Sequence, residues 1–492
     1  MLKRLIIASA IIAGVWSCKP SFNPGLDAVT LAFSQDTVFL DTVFSTIGSS
    51  TRTVRIINES NQDVLISDLR LGMGEDSPYR INVNGDPGWQ FDDIQLPAND
   101  SIYVFVEVTA PVNGLEYLWT DSIVMQNGGL VQDIDLVTLA WDAHFHYATH
   151  VLVLEQPEPY EDIRIPYTIL PSQAVWQNDK PHVVYGYAVV DSGGTLDIMA
   201  GTQVHFHHNS GIWVSSHGSL NIDPNGIGSY DNPTTLQGDR LEPFYENIAG
   251  QWGGVLGCIF IQRGAEADIQ NAWIRNGTIG IRSDSVPEGQ PANISIHNSR
   301  ITDMSRAGIY SGFGHIEMSN TAVGNAGLYG LYALGGRVIA DHCTFANHFP
   351  AGRNSGTVGL FNRYDDGMGQ FRYRALNQAD FANCIIWGSR TSEVSFGHGS
   401  NAAFDYRFEG SLLRLDPTPD QPIYDVTDGT YFTSCLLNAD PQFVDTYSWN
   451  YALDSASQAV NIGLPPAAQR VPLDALGHSR VNSPDAGLLE RD

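Results

Sequence analysis

DIQNAWIRN, residues 268–276, is the first of seven related nine-residue segments, the last of which is YFTSCLLNA at 431–439. The second, fifth and seventh places of each segment are apolar or small, and the fourth place is most often Asn. The second places are Ile269, Ile296, Met318, Ala340, Phe381, Phe408 and Phe432. The fourth places are Asn271, Asn298, Asn320, His342, Asn383, Gly410 and Ser434. The fifth places are Ala272, Ser299, Thr321, Cys343, Cys384, Ser411 and Cys435, and the seventh are Ile274, Ile301, Val323, Phe345, Ile386, Leu413 and Leu437.

The spacing of these segments predicts a stacked fold. Counted between fifth places, the steps are 27, 22, 22, 41, 27 and 24 residues. Periods in the twenties are typical of solenoids, in which each coil contacts only its neighbours. A leucine-rich-repeat horseshoe has a similar period, but the segments lack its leucine-dominated consensus.

The parity of the apolar places predicts a bend inside each segment. Alternate residues of a strand face the same side, so one straight strand cannot turn the second, fifth and seventh places inward together. A corner at the fourth place can, and Asn and Gly tolerate the left-handed backbone that such a corner needs. Each segment is therefore expected to be a short strand, a corner and a second short strand, with stacked Asn side chains satisfying one another.

The 41-residue step is about one coil too long. The surplus, residues 349–378, includes Arg353, Arg363, Asp365, Asp366, Arg372 and Arg374. It predicts an extra irregular coil or a protruding loop. Insertions in solenoids collect on one face, which is often the binding face.

The first residues have the pattern of an export signal. Lys3 and Arg4 precede an apolar run that is too short to span a bilayer. Val15-Trp16-Ser17-Cys18 resembles the lipobox of bacterial lipoproteins. Trp16 stands where a small residue is usual, and such a looser lipobox is similar to those of Bacteroidetes-type lipoproteins. This resemblance implies a signal peptide over 1–17, a lipid on Cys18, a tether over 18–27 and an outer-membrane location facing the periplasm or the cell surface. The alternative is an ordinary signal peptide with a coincidental cysteine.

Composition limits the partners. The net charge of −28 opposes binding to nucleic acid and to anionic lipid head groups. Disulfides are one expectation for the four remaining cysteines of an exported chain. Three of them occupy the same inward place of the repeat, which favours a column of buried thiols over disulfides and gives no zinc pattern.

Residues 28–142 predict a separate β-sandwich. Ile102, Val104, Val106 and Val108 alternate along one strand, and Asn127-Gly128-Gly129 is a hairpin signal. The phrases VRIINES at 54–60, VLISDLRL at 64–71 and LPANDSIYVFVEV at 96–108 resemble bacterial Ig-like modules. The resemblance implies a stalk or spacer.

The rest of the chain completes an all-β prediction: a connection over 143–185, a right-handed parallel β-helix over 186–445 and a closing segment over 446–492. The phrases at 196–226 and 250–261 resemble the opening coils of uncharacterised right-handed parallel β-helix proteins. The stretch LDALGHSRVNSPDAGLLE at 473–490 resembles their D-x-x-G-x-x-R…P-D-x-G-x-x-E ending. The resemblance implies a fold and an exported class but no established activity.

Sequence motifs for catalysis are weak. Gly397-His398-Gly399 and Asp365-Asp366 each match one polygalacturonase motif, but the partner motifs are absent, so no catalytic residue is assigned. A glycine-rich turn with an exposed histidine is the plainer interpretation. Asp-Ser/Thr-apolar triplets at Asp36, Asp41, Asp100 and Asp121 resemble the O-glycosylation sequon of Bacteroidetes exported proteins.

Binding of metals and sugars is the other chemistry to consider. Histidines spaced i, i+2 on a strand share a face and could hold Zn²⁺ or Cu²⁺, although surface imidazoles are the plainer interpretation. The two pairs with this spacing are His144 and His146, with His150 nearby, and His205 and His207, beside His208. The acidity allows Ca²⁺, but no calcium-loop motif is present, so no cofactor is assigned. Tyr310, Tyr332 and Trp387 lie just beyond the repeat and could stack on sugar rings, or they could be core residues.

These features predict a lipid-anchored envelope protein, held at the membrane through Cys18, whose solenoid face binds a polysaccharide or a surface protein. One alternative is a polysaccharide lyase or glycoside hydrolase, which fold analogy alone suggests. The second alternative is a structural envelope protein without a ligand.

Overall fold

The computed structural model describes residues 22–25, 27–111, 118–284, 291–416, 423 and 425–491. Strands account for 50% of the structure and helices for 3%, so the predicted all-β class is confirmed. The chain divides into two compact units between Asp142 and Ala143. Cys18, the signal peptide and most of the tether lie outside the described residues.

The first unit is built from two five-stranded sheets around one hydrophobic core. Its strands are β1 (Ala32–Phe33), β2 (Thr37–Phe44), β3 (Arg52–Ile57), β4 (Val64–Leu71), β5 (Tyr79–Val83), β6 (Asp86–Gly88), β7 (Gln90–Leu96), β8 (Ser101–Val108), β9 (Leu118–Asn127) and β10 (Leu130–Trp141), with a 3₁₀ turn at Gly74–Asp76. The sheet orders are β1-β3-β8-β5-β6 and β2-β10-β9-β4-β7, and the pairing is antiparallel except between β2 and β10.

Both local predictions for this unit are confirmed. Ile102, Val104, Val106 and Val108 are buried along β8, while the residues between them face outward. Asn127 pairs with Leu130 across a two-residue turn in which Gly128 and Gly129 have φ of +49° and +88°. Two positive φ angles are the signature of the type I′ hairpin turn.

The second unit consists of short strands that pass in turn through three sheets. In chain order they are β11 (His144–Tyr147), β12 (His150–Leu154), β13 (Ile163–Ile169), β14 (Gln173–Trp176), β15 (His182–Tyr185), β16 (Tyr187–Val190), β17 (Thr195–Ile198), β18 (Gln203–Phe206), β19 (Gly211–Val214), β20 (Ser219–Ile222), β21 (Thr234–Gly238), β22 (Ile259–Gln262), β23 (Glu266–Gln270), β24 (Ala272–Arg275), β25 (Ile279–Asp284), β26 (Asn293–His297), β27 (Arg300–Met304), β28 (Ala307–Gly312), β29 (His315–Ser319), β30 (Ala322–Ala326), β31 (Tyr329–Leu334), β32 (Gly336–Asp341), β33 (Thr344–Asn347), β34 (Val358–Phe361), β35 (Arg363–Asp365), β36 (Phe371–Tyr373), β37 (Leu376–Ala382), β38 (Ile385–Gly388), β39 (Val394–Gly397), β40 (Arg407–Glu409), β41 (Leu412–Leu413), β42 (Phe432–Thr433), β43 (Leu436–Leu437), β44 (Phe443–Asp445) and β45 (Asn450–Leu453). A 3₁₀ turn at Pro243–Tyr245 and a helix α1 at Pro465–Arg470 complete the elements.

Each sheet collects one strand from each successive coil. Sheet 1 runs β11-β15-β18-β21-β24-β27-β30-β33-β38-β41-β43, sheet 2 runs β12-β13-β16-β19-β22-β25-β28-β31-β34-β39, and sheet 3 runs β14-β17-β20-β23-β26-β29-β32-β37-β40-β42. Pairing within these sheets is parallel except between β12 and β13. This topology is the one expected of a β-solenoid.

The corner at the fourth place is confirmed. All seven fourth-place residues have φ between +46° and +54°. Second places pair with second places along sheet 3, and seventh places pair with seventh places along sheet 1. The expected amide stack is partial: Asn320 donates to Asn298 at 3.0 Å, and Asn383 donates to His342 at 3.0 Å.

The three sheets begin earlier than residue 186, where the sequence places the start of the β-helix. β11, β13, β14 and β15 lie within 143–185 and already belong to the sheets. The segment pattern does not reach them because their corners use other residues. Even so, Trp176 begins the second-place column that continues through Ile198, Ile222 and Ile269.

The surplus at 349–378 is neither an extra coil nor a single loop. β34 is the ordinary sheet 2 strand of its coil, pairing with β31 and β39. The added residues form a loop before β34 and a hairpin after it, in which Arg363 pairs with Tyr373. The insertion therefore consists of two parts, which precede and follow the sheet 2 strand β34 along the chain.

The closing segment returns along the stack and covers the outer face of sheet 1. Trp449, Tyr451 and Leu488 pack with Ala322 and Ala346 of sheet 1. Corner residues hold it in place: Asn383 donates to Leu464 O at 2.9 Å, and Asn320 donates to Leu473 O at 2.9 Å. Two of the stacked fourth-place residues therefore also hold the C-terminal chain against the solenoid through hydrogen bonds.

The residues of the D-x-x-G-x-x-R…P-D-x-G-x-x-E ending form a network of hydrogen bonds. The buried Arg480 guanidinium donates to Glu490, to Asn320 Oδ1 at 2.9 Å and to Leu488 O at 3.0 Å. The Asp474 carboxylate accepts backbone N–H groups of His478 at 2.7 Å and Glu490 at 2.8 Å. These contacts give the motif a folding role.

The cysteines of the solenoid are free thiols, as the repeat predicts. Cys258, Cys343 and Cys384 are buried, and Cys435 is partly buried. Burial raises the pKa of the Cys435 thiol to about 11, and its S–H contacts Phe408 O at 3.3 Å. These cysteines therefore contribute to the packing of the hydrophobic core.

Candidate functional site: the aromatic row of sheet 2

Within the described residues, the hydrophobic clusters that contain the closing segment join it to strands of sheet 1. Trp387, one of the three predicted sugar-stacking residues, lies on sheet 1 beside Ile385 and Leu453. The Arg414 guanidinium lies 4.7 Å from its ring centre. Trp387 is therefore part of the packing under the closing segment.

Sheet 2 brings the other two predicted aromatics together. One outward register column runs through Trp213, Phe260, Arg282, Tyr310 and Tyr332 in successive coils. The Tyr310 and Tyr332 rings are stacked 4.9 Å apart with planes 5° from parallel. We call Tyr310, Tyr329, Tyr332 and Phe361 the aromatic row.

The row extends beyond the two predicted tyrosines. Phe361 stacks on Tyr332 at 4.8 Å, and Tyr329 meets Tyr332 edge-on at 5.2 Å. Parallel rings with centres this far apart are offset, so neighbours cover only part of each ring face. All four side chains are partly exposed.

The row combines an apolar body with polar edges. Burial raises the pKa of Tyr310, Tyr329 and Tyr332, so their hydroxyls stay protonated at neutral pH. Within the described residues, these three hydroxyls have no hydrogen-bond partner in the protein. They are placed to donate to, and accept from, a ligand.

A repeated tripeptide could have revealed this column. Gly211-Ile212-Trp213, Gly280-Ile281-Arg282, Gly308-Ile309-Tyr310 and Gly330-Leu331-Tyr332 each put a glycine two residues before the outward position. A Cβ at Gly308 would lie 2.6 Å from Gly330 O in the next coil, so the close approach of coils demands glycine there. Phe361 and Tyr329 do not occupy the third place of this tripeptide, so the sequence pattern does not reveal them.

The outer face of sheet 3 is polar instead. An open cavity of about 390 Å³ is lined there by residues that include Glu266, Asp268, Asn293 and His297. Several of its polar groups bond one another or their neighbours: Gln270 donates to Asp268 at 3.1 Å, and His297 meets Ser319 at 2.8 Å. Among the described residues, no Phe, Tyr or Trp side chain lines this cavity.

The histidine pairs do not converge as metal ligands. His146 and His182 are 3.0 Å apart, while His144 contacts Asp179 at 3.1 Å and His207 contacts Asp239 at 2.7 Å. His205 is buried. Among the described residues, no group of three or more His, Cys, Asp or Glu side chains is arranged to hold a metal ion.

The two polygalacturonase-like motifs have structural partners. Asp366 lies in the hairpin of the insertion and contacts Arg372 at 3.0 Å, and backbone N–H groups lower the pKa of its carboxyl. The backbone of Gly399 exchanges hydrogen bonds with the Asn362 side chain at 2.8 and 2.9 Å. The motifs are therefore engaged in holding the insertion beside sheet 2.

A buried ion pair, which the sequence pattern does not reveal, anchors the insertion. The Arg353 and Glu393 side chains are 1% and 0% exposed, with 2.8 Å between Nη2 and Oε1. Glu393 also accepts from Thr357 Oγ1 at 2.6 Å, Thr357 N at 2.9 Å and Arg390 N at 2.8 Å. Spacing gave no signal, because the partners are 40 residues apart.

A buried histidine predicts acid sensitivity. Burial, followed by the charge of Arg480, lowers the pKa of His342 to about 2, and its neutral ring accepts a hydrogen bond from Asn383. An unfolded histidine titrates near pH 6.5, so stability is fully present above that pH. It falls by about 1.4 kcal/mol per pH unit below it, because only the unfolded chain takes up the proton.

We expect His342→Gln to flatten the pH dependence of the unfolding free energy between pH 6.5 and pH 4, measured by urea titration. His208→Gln, at an exposed position, is the matched control and should keep the wild-type slope. Equal slopes for both variants would contradict the assignment.

Comparisons with known proteins name no family for this chain. No family model matches it, and no curated protein matches it. Among solved structures, a family 123 glycoside hydrolase from Clostridium perfringens is similar over 22% of this chain and 26% of its own, with 10% identity and a TM-score of 0.18. The E. coli chaperone DraB is similar over 22% of this chain and 54% of its own, with 12% identity and a TM-score of 0.17. This chain thus spans well under two thirds of either structure.

No helix in the described part of the chain is long and apolar enough to cross a membrane.

Proposed function

We propose that this protein binds glycans through the aromatic row of sheet 2. The observation that carries the proposal is the run of partly exposed rings, Tyr310, Tyr332 and Phe361, in continuous contact across three coils. The apolar C–H face of a sugar ring packs on exposed aromatic surface. Tyrosine supplies this surface at low entropic cost, together with a hydroxyl for the sugar's own hydroxyls.

The repeat suits a linear ligand. Neighbouring strands of a sheet lie about 4.8 Å apart, so the row offers similar contacts at regular intervals along the stack. A polymer could lie along it and use several rings at once. The hairpin β35–β36 follows Phe361 directly and gives the face a rim, as expected of an insertion on a binding face.

The wider proposal concerns the setting of this face. In it, Cys18 carries the lipid that anchors the exported chain at the outer membrane, an Ig-like sandwich serves as the spacer, and the three sheets form a right-handed parallel β-helix. Incorporation of a labelled fatty acid into the wild type, but not into Cys18→Ala, tests the anchor independently of glycan binding.

A glycan array probed with the mature full-length chain in detergent tests the function. We expect retention on at least one class of oligosaccharide, with no shortened or unsaturated products after long incubation. Products would favour the lyase or hydrolase alternative. An absence of retention on every neutral and acidic glycan would contradict the proposal and favour a structural role.

A further inference from the structure

A hydrogen-bonded pair of histidines lies at the start of the stack, where the first coil meets the second. His146 belongs to β11 and His182 to β15, and these two strands pair in parallel. The His146 Nε2 and His182 Nδ1 atoms are 3.0 Å apart, and the ring planes are 8° from parallel. Both rings stack on Trp176, at 4.8 and 5.1 Å between ring centres. In the register column of His146, the next two coils carry the buried Val184 and Phe206, so the pair begins a column of core residues.

The neighbouring groups fix which nitrogens of the neutral pair carry a hydrogen. His182 Nε2 lies 3.0 Å from Gln177 O, and a carbonyl oxygen can only accept, so this nitrogen is the donor. His182 Nδ1 is then the lone pair that accepts from His146 Nε2–H. When both rings are protonated, each presents an N–H group to the other, and the hydrogen bond is replaced by contact between two cations.

Burial opposes a charge on either ring. His182 is 4% exposed and the Trp176 ring beneath it 3% exposed. Burial, followed by the charges of His182 and His144, lowers the pKa of His146 to about 4. Burial is also the largest cause that lowers the pKa of His182. The closed arrangement therefore favours the neutral pair.

His144 and Asp179 are the other titratable groups that act on the pair within the described residues. His144 precedes His146 on β11, and its ring centre is 4.9 Å from that of His182. Asp179 lies in the turn between β14 and β15, where Lys180 follows it, and its carboxylate contacts His144 Nε2 at 3.1 Å. Asp179 therefore compensates a charge on His144 through a direct contact and acts on the buried pair only from further away.

We propose that the His146–His182 pair is an acid-sensitive closure of the first coil. The neutral pair holds β11 against β15 and Trp176, and protonation of the pair releases β11. This inference goes beyond the proposed glycan binding and does not depend on it. Because each coil of a solenoid contacts only its neighbours, and β11 is the terminal strand of sheet 1, the release opens the first coil while the coils behind it stay folded.

Hydrogen exchange of the full-length chain between pH 7 and pH 4.5 tests the closure. Histidines of the opened coil titrate near pH 6.5, and those of the closed pair titrate below that value. Closure is therefore fully present above pH 6.5 and is lost as the pH falls. For each proton taken up on opening, the protection factors of the β11 amides should fall about tenfold per pH unit between pH 6 and pH 4.5.

The comparison of variants separates this local effect from the acid sensitivity that His342 gives to the whole chain. Glutamine at both His146 and His182 replaces the pair with amides that bond each other and do not titrate. This double variant should lose the fall at β11, whereas His342→Gln should keep it. His208→Gln, at an exposed position, is the matched control and should also keep it.

Two results would overturn the proposal. One is a fall at β11 that is equal in the wild type and in the double glutamine variant. The other is protection at β11 that does not change between pH 7 and pH 4.5. If the double variant is already open at pH 7, the wild-type imidazoles are titrated by NMR instead, and midpoints near pH 6.5 for both His146 and His182 would equally contradict the closure.

Discussion

Replacing Tyr310 and Tyr332 together with alanine will weaken glycan binding by at least ~30-fold, or about 2 kcal/mol. Truncating a central tyrosine of a binding site commonly costs this much. The two rings stack on each other and Tyr332 also carries Phe361, so the double change removes the middle of the row. Calorimetry with the retained oligosaccharide measures the loss.

The controls separate lost contact from lost folding. Phenylalanine at both positions keeps the rings and removes the hydroxyls, so it should retain most of the affinity. Asn293→Ala changes the polar cavity on sheet 3 and should leave binding unchanged. Equal affinities for the wild type and the double alanine variant would contradict the site, provided that their unfolding transitions coincide.

Glu393→Ala will lower the free energy of unfolding by about 3–5 kcal/mol, the range found when one partner of a buried ion pair is removed. The change leaves the Arg353 guanidinium buried with its charge uncompensated, and it removes the acceptor of Thr357 and Arg390 N–H groups. Urea unfolding of the full-length chain measures the loss. Because Arg353 lies in the loop before β34, protease cleavage should begin in that loop.

Glu409→Ala is the matched control on the same stack. Glu409 and Arg407 are 37% and 50% exposed and 3.7 Å apart, and exposed pairs of this kind contribute 0–1 kcal/mol, roughly. We therefore expect a clear gap between the two variants. If Glu393→Ala cost no more than Glu409→Ala, the buried pair would not anchor the insertion.

The sequence predicted the corners well because their physics is local. A fourth place of Asn, His, Gly or Ser between apolar neighbours is enough to indicate left-handed backbone, and all seven positions adopt it. The same parity argument placed Ile269 and Ile274 on different sheets of one coil, as the pairing of β23 and β24 shows. Buried thiols followed from the repeat for the same reason.

Contacts between residues far apart in the chain were harder to predict from the sequence. Nothing in the order of residues tells that Tyr451 packs with Ala322, or that Arg480 bonds Asn320, because a returning chain has no periodic signal of its own. Trp387 was therefore grouped with Tyr310 and Tyr332 although the closing segment packs beside it. The early coils in 143–185 were missed because their corners lack the Asn-centred segment.

The candidate site was predictable in part. Tyr310 and Tyr332 were identified from their position after the repeat, but Tyr329 and Phe361 needed the register of sheet 2. The ion pair of Arg353 with Glu393 needed the three-dimensional course of the insertion. Function depends on such neighbours, and they come from different coils.

The crystal structure of the full-length protein with an oligosaccharide retained on the array is the most direct test of the aromatic row as the binding face. The account predicts sugar rings packed against Tyr310, Tyr332 and Phe361. Sugar density in the sheet 3 cavity beside Glu266 and His297, with the aromatic row empty, would contradict it.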